Sequence, residues 1–160
     1  MIKRPPLPNP PFVGGCLCRA VRWRFDARPL ALNACHCRDC KKLTGSTHAE
    51  VLIGERAAFH HEQGEVARFR KRADSGREID VVRCATCGTR SWHEPLAAPK
   101  LIFIMAGGLD DPSWFLPTGH IWAEQAAPGY LFAEDAVRIE GQPGDRQVLL
   151  DAFARIYPDA

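Results

Sequence analysis

The chain is 160 residues long, 46% hydrophobic and 25% charged, with a net charge of +2. That length suits one domain with a real core, and the composition excludes a disordered or fibrous chain. The near-neutral balance excludes the concentrated basic footprint of a nucleic-acid binder, and the longest apolar strand-like run, 101–105, is far short of a membrane span.

Five of the first eleven residues are prolines, which withhold backbone donors and favour extended chain. Residues 1–11 therefore read as a flexible leader, with the folded domain starting near Phe12. The leader carries Lys3 and Arg4 but no apolar core of the kind an export signal needs, so a soluble, cytoplasmic protein with reduced cysteines is expected. Val21, Trp23 and Phe25 alternate with Arg22 and Arg24, the period-two signature of a half-buried strand. Further strands are expected at 30–34, 49–53, 66–70, 78–83, 101–105 and 119–122, with glycine and proline punctuating the gaps. Between two of these, His60-His-Glu-Gln-Gly-Glu65 is expected to turn a hairpin with the adjacent histidines at its tip. Neighbours on a strand point to opposite faces, so they are not read as a metal pair. The basic run from Arg68 to Arg72 reads as a solvated strand edge. Only the C-terminus looks helical: Val148, Leu149, Ala152, Phe153 and Ile156 recur at helical spacing before Pro158.

All seven cysteines fall into Cys16-Leu-Cys18, Cys35-His-Cys-Arg-Asp-Cys40 and Cys84-Ala-Thr-Cys87. Core cysteines would be scattered over inward strand positions, whereas clustered thiolates are soft ligands for a tetrahedral zinc ion. Iron–sulfur chemistry is the minor alternative. Cys84 and Cys87 flank a tight turn relieved by Gly88, a zinc-knuckle pattern. Their partners are open on spacing alone: Cys37 and Cys40 would complete a zinc ribbon, and Cys16 and Cys18 would also give four ligands. The second solution leaves Cys35, Cys37 and Cys40 as three ligands with an open position, which is catalytic geometry. His48-Ala-Glu50 with Cys84 and Cys87 mimics a zinc-deaminase pattern, but Arg83 stands where that signature has proline and five cysteines go unused. His36, between two proposed ligands, is expected to point away from the metal into the packing, and Asp39 to cap a turn.

Taken together, Gly15-Cys-Leu-Cys-Arg-Ala-Val-Arg22, Cys35-His-Cys-Arg-Asp-Cys-Lys-Lys-Leu-Thr-Gly-Ser46, Cys84-Ala-Thr-Cys-Gly88 and Gly107-Gly-Leu-Asp-Asp-Pro112 resemble the glutathione-dependent formaldehyde-activating enzyme family. The resemblance runs from about Gly14 to Trp122. It implies a mainly β, Mss4-like fold of antiparallel sheets set like a tent around two zinc ions, here with an added C-terminal helix. It further implies structural zinc on Cys16, Cys18, Cys84 and Cys87, and catalytic zinc on Cys35, Cys37 and Cys40. The expected layout is a leader over 1–11, a zinc-binding domain over 12–142 and a helix over 143–160 packed on it. The implied activity is that of a carbon–sulfur lyase making or cleaving the S-hydroxymethyl adduct of glutathione, or a related small thiol, with formaldehyde or a related aldehyde. Neither nucleic acid nor a membrane is an expected partner. Arg38, Lys41, Lys42 and Arg90 stand beside the ligand segments, where they are candidates to meet the substrate's carboxylates. Trp92, Phe103, Trp114, Phe115 and Trp122 are expected mostly in the core, with one or two walling the cleft. The segment after Trp122 departs from the family pattern, running through Pro128-Gly-Tyr130 to the added helix. The alternative on the same fold is a non-catalytic zinc-binding or thiol-sensing module.

Overall fold

The computed structural model describes residues 3–73 and 76–158, and over these the chain is mainly β. Strands β1 (Phe12–Gly15), β2 (Arg22–Phe25), β3 (Ala31–Cys35) and β4 (Ala49–Glu55) occupy the first third, with helix α1 (Arg38–Thr44) between the last two. Strands β5 (Phe59–Gln63), β6 (Val66–Arg72), β7 (Glu78–Cys84), β8 (Arg90–Pro95) and β9 (Leu101–Met105) follow. The chain closes with β10 (Gly119–Ile121), β11 (Val137–Arg138) and helix α2 (Gln147–Ile156). Strands β1, β2 and β5 make a small sheet in that order, and the other eight make one sheet in the order β11-β10-β3-β4-β9-β8-β7-β6. Pairing is antiparallel except around β10, which runs parallel to both β3 and β11, so the large sheet is mixed rather than purely antiparallel. The long connection from β3 to β10 permits this, since parallel neighbours need an extended crossover.

The two sheets meet through aromatic side chains. Alternation on β2 drives Trp23 and Phe25 to full burial while Arg22 and Arg24 stay outside. Phe59 of β5 lies 6.0 Å from the Trp23 ring and 5.0 Å from the Trp92 ring of β8, joining the small sheet to the large one. Phe25 presses on β4 so closely that a Cβ at Gly54 would fall 2.2 Å from its ring, which leaves only glycine at that position. On the other side α2 lays Leu149 and Phe153 against β3, β10 and β11. With both faces covered, every residue of β3 is buried, so that strand shows no alternation to read. Burying each large apolar side chain here contributes about 1.5–3 kcal/mol.

Two expectations are corrected. The segment around His60 and His61 is not a hairpin tip: β5 pairs with β2 and β6 pairs with β7, so the chain crosses from one sheet to the other. The turn signal at Gly64 is real, since its φ of +90° and a Cβ position 2.2 Å from the Ala20 carbonyl oxygen both require glycine. The burial of Phe59 sets the outcome, because it commits β5 to the intersheet core. The second correction is α1, absent from the periodicity because this seven-residue helix buries no residue. Its signals are local ones. Cys37 is the N-cap, accepting from the Cys40 N–H, and Gly45 takes the left-handed C-cap conformation at φ 65°.

Contacts tie the proline-rich segment to the rest of the fold. Arg4 donates to both carboxylate oxygens of Asp135 and to the Leu116 and Pro117 carbonyls, and the Tyr157 hydroxyl donates to the Pro5 carbonyl. Among the described residues no helix is long and apolar enough to cross a membrane.

Candidate metal centres

The turns between β1 and β2 and between β7 and β8 bring Cys16, Cys18, Cys84 and Cys87 together, their sulfurs all within 4.8 Å of one another. In each turn a left-handed residue follows the second cysteine, Arg19 at φ 65° and Gly88 at φ 75°, curling the backbone back around the sulfurs. Backbone N–H groups aim at sulfur: Val21 donates to Cys16 at 3.2 Å and Cys87 to Cys84 at 3.5 Å. The Thr89 hydroxyl lies 3.1 Å from the Cys87 sulfur and accepts from the Leu17 N–H at 3.2 Å, locking the two turns together. Thr89 also holds the Cys87 thiol down to about 5.

The Cys16–Cys18 and Cys18–Cys84 sulfurs are 3.4 and 3.8 Å apart. Those separations are far beyond a disulfide bond and close to the edge of about 3.8 Å of a tetrahedron with zinc–sulfur bonds near 2.3 Å. All seven cysteines are free, and the N–H donors pointing at Cys16, Cys37 and Cys84 suit thiolate acceptors. The donor set therefore fits zinc in both groups.

Cys35 ends β3, Cys37 caps α1 and Cys40 sits in its first turn, and these three sulfurs also lie within 4.8 Å of one another. The strand-to-helix junction achieves this alone, since Cys37 accepts from the Cys40 N–H at 3.4 Å. Hydrogen bonding from Cys35 and Cys40 holds the Cys37 thiol down to about 2, and that same contact pushes Cys35 up. Three crowded thiols cannot all ionise without a cation among them.

The three-cysteine group opens into a cleft of about 490 Å³, within the range of small-molecule sites, whereas none of the four other cysteines lines it. Val51, Ile53, Phe103 and Ile121 give this cleft apolar walls, and Trp122 lines it too. Trp92 and Trp114 are buried in the core. Arg90, at the start of β8, faces the cleft with its Nε and Nη2 at 3.0 and 2.7 Å from the Met105 sulfur. Its buried Nη1 has no hydrogen-bond partner among the described residues. Burial pulls its pKa down, while Cys40, Cys35 and Cys37 pull it up. His93, three residues on, lines the cleft with an unpartnered Nε2 and is held neutral by burial, which pushes it down to about 3.

The other basic candidates divide. Arg38 lines the cleft, Lys41 donates its Nζ to the Gln125 carbonyl and so anchors α1, and Lys42 is exposed outside the cleft wall. Asp39 pairs with Lys71 at 2.6 Å and so ties α1 to β6. His36 points away from the sulfurs, fully buried with Nε2 3.1 Å from His120 Nδ1 and its ring 4.6 Å from Tyr130. Burial holds His36 and His120 down to about 4, so this pair is neutral packing behind the ligands. His48 packs against the same cluster, tilted to His36 and edge-on to Tyr130, and takes no part in the Cys84–Cys87 group, which removes the deaminase arrangement. Sequence reasoning did not find Asn33, Arg77, His93 or Arg146 on the cleft wall. They carry no motif and are gathered only by the sheet and the chain before α2.

Among solved structures, that of a Rhodobacter sphaeroides protein matches over 61% of this chain and 87% of its own at 17% identity and a TM-score of 0.49. No curated protein matches. The family model for glutathione-dependent formaldehyde-activating enzyme matches residues 11–125, a span that takes in all seven cysteines, and the chain belongs to that family.

Proposed function

We propose that the chain is a zinc-dependent carbon–sulfur lyase, forming or cleaving the S-hydroxymethyl adduct of glutathione or a related small thiol. The observation that carries this is the difference in access: Cys35, Cys37 and Cys40 converge and open into the cleft, while the four-cysteine group has its full ligand set and no place on that wall. Cys35, Cys37 and Cys40 would hold the zinc ion, which would supply Lewis acidity to lower the pKa of a substrate thiol.

In the forming direction the sulfur attacks the aldehyde carbon, a carbon–sulfur bond forms, and the carbonyl electron pair moves to oxygen, which takes up the proton the thiol gave up. The chain's own groups suit those needs. The apolar wall of Ile53 and Phe103 excludes water, and close confinement of thiol and aldehyde replaces a bimolecular encounter. Arg90 offers a half-buried cation with a free Nη1 donor to the excess negative charge of a thiolate-rich site. His93 is neutral and unpartnered on the same wall, able to hold a hydroxyl proton.

The test is exchange spectroscopy on formaldehyde and glutathione, since the two combine without help. Wild type should raise the interconversion rate above the protein-free rate, and Cys37→Ser should return it to that rate while circular dichroism stays native. Interconversion no faster than in the protein-free control would sink the proposal.

A further inference from the structure

The family match ends at residue 125, yet the cleft does not. Gln142, Asp145, Arg146 and Leu149 line the same cleft as Cys35, Cys37 and Cys40. The added C-terminal segment is thus part of the wall that a substrate meets. Arg146, just ahead of α2, is half-buried, with its guanidinium carbon 5.7 Å from the centre of the Phe103 ring. Arg77, just before β7, lines the cleft as well. Burial, and after it the like charge of Arg77, holds the Arg146 guanidinium below its usual pKa.

Among the described residues neither arginine is in an ion pair, although the wall carries three acids. Asp39 is taken by Lys71 at 2.6 Å, while Asp145, which accepts from the Gln147 N–H at 2.8 Å, and Glu78 are in an ion pair with neither arginine. The full wall sets Arg38, Lys71, Arg77, Arg90 and Arg146 against those three carboxylates. Arg146 is half-buried and Arg77 is exposed on the same wall, and a half-buried cation facing a like charge is unfavourable until an anion joins it. A guanidinium fork is matched in shape by a carboxylate, which it binds through paired hydrogen bonds.

We propose that Arg146, with Arg77, forms a carboxylate subsite that holds the anionic end of the thiol substrate while its sulfur reaches the three-cysteine group. This rests on reading the cleft as a thiol-adduct site, and it narrows the substrate class to thiols that carry a carboxylate. Both arginines act in binding, so their loss raises KM and leaves kcat near wild type.

The test is calorimetric binding of S-methylglutathione, which keeps both carboxylates but has no free thiol, to the zinc-loaded full chain. Arg146→Met and Arg77→Met should each weaken binding roughly ten- to hundred-fold, the loss expected for a charge-assisted hydrogen bond. Arg146→Lys should recover part of it, and the diethyl ester of the same probe should bind wild type as weakly as the acid binds Arg146→Met. Zinc content and melting temperature are read alongside, and Arg77→Met, on a different element, keeps the test open if Arg146→Met disturbs α2. Binding that ignores both substitutions, or no binding by wild type, overturns the subsite. Arginine-dependent binding without turnover would instead overturn the lyase reading and leave the subsite standing.

Discussion

The four-cysteine group joins segments far apart in the chain, Cys18 touching Cys84 across 66 positions, whereas Cys35, Cys37 and Cys40 lie within six residues of one another. The first group ties a turn of the small sheet to a turn of the large one; the second joins one strand to the helix that follows it. A metal clip that closes a long loop removes conformational freedom from the unfolded chain, so its binding energy becomes folding energy. A clip within six residues closes almost nothing and leaves its metal free for other work. Thiol spacing, loop length and access to the cleft therefore support the proposed division, stability at one site and chemistry at the other.

Substitution of single ligands gives the sharpest contrast. Cys87→Ser should unfold the domain, since structural zinc contributes on the order of 10 kcal/mol to the folding of small domains. Cys37→Ser should retain native circular dichroism with one zinc per chain instead of two. A Cys37→Ser protein that also unfolds would erase the distinction. The intersheet aromatics carry the same job as the four-cysteine group by other means, so Phe59→Ala should cost about 3–5 kcal/mol in urea denaturation without releasing zinc.

A smaller effect separates Arg90 from both. Removing a half-buried cation whose Nη1 has no partner among the described residues also removes its desolvation cost, so Arg90→Met should move stability by no more than about 1–2 kcal/mol. Its positive charge beside three thiolates should matter to the metal, and chelator competition should show zinc lost from the three-cysteine site about ten-fold more readily, as for other supporting groups around metal ligands. Unchanged retention would make Arg90 a packing residue.

The histidines supply the least dramatic contrast. His93 is held at about 3 and His120 at about 4 in the fold, both by burial, below an unfolded value near 6.5. Below 6.5 the unfolded chain binds more protons than the folded one, so this contribution is complete above pH 6.5 and declines as pH falls towards 4. Urea midpoints should drop between pH 7 and pH 5, and His93→Gln should shrink that drop. An equal drop in the variant would assign the pH dependence elsewhere.

How far the sequence was readable follows from how local each signal is. The strand at 101–105 was read to the residue, and alternation placed Trp23 and Phe25 correctly because one face of β2 is wet. Alternation fails for β3, which is covered on both faces, and helical periodicity fails for α1, which buries nothing. The turn at Gly64 was visible, but whether the flanking strands pair with each other depends on where Phe59 packs. For the cysteines, clustering was plain while partner choice was open, because the adjacency of the β1–β2 and β7–β8 turns is a tertiary fact. Arg77, His93 and Arg146 reach the cleft from the segment before β7, from β8 and from a C-terminal loop, with no shared motif.

The central claim, one zinc for the fold and one for chemistry, is tested most directly by titrating a chelator into the protein while following zinc release and far-ultraviolet circular dichroism together. The account predicts two zinc ions per chain leaving in two steps. The first should leave without loss of the β signal and be absent in Cys37→Ser, and the second should coincide with unfolding. Release of both ions in a single step that also unfolds the chain would contradict it.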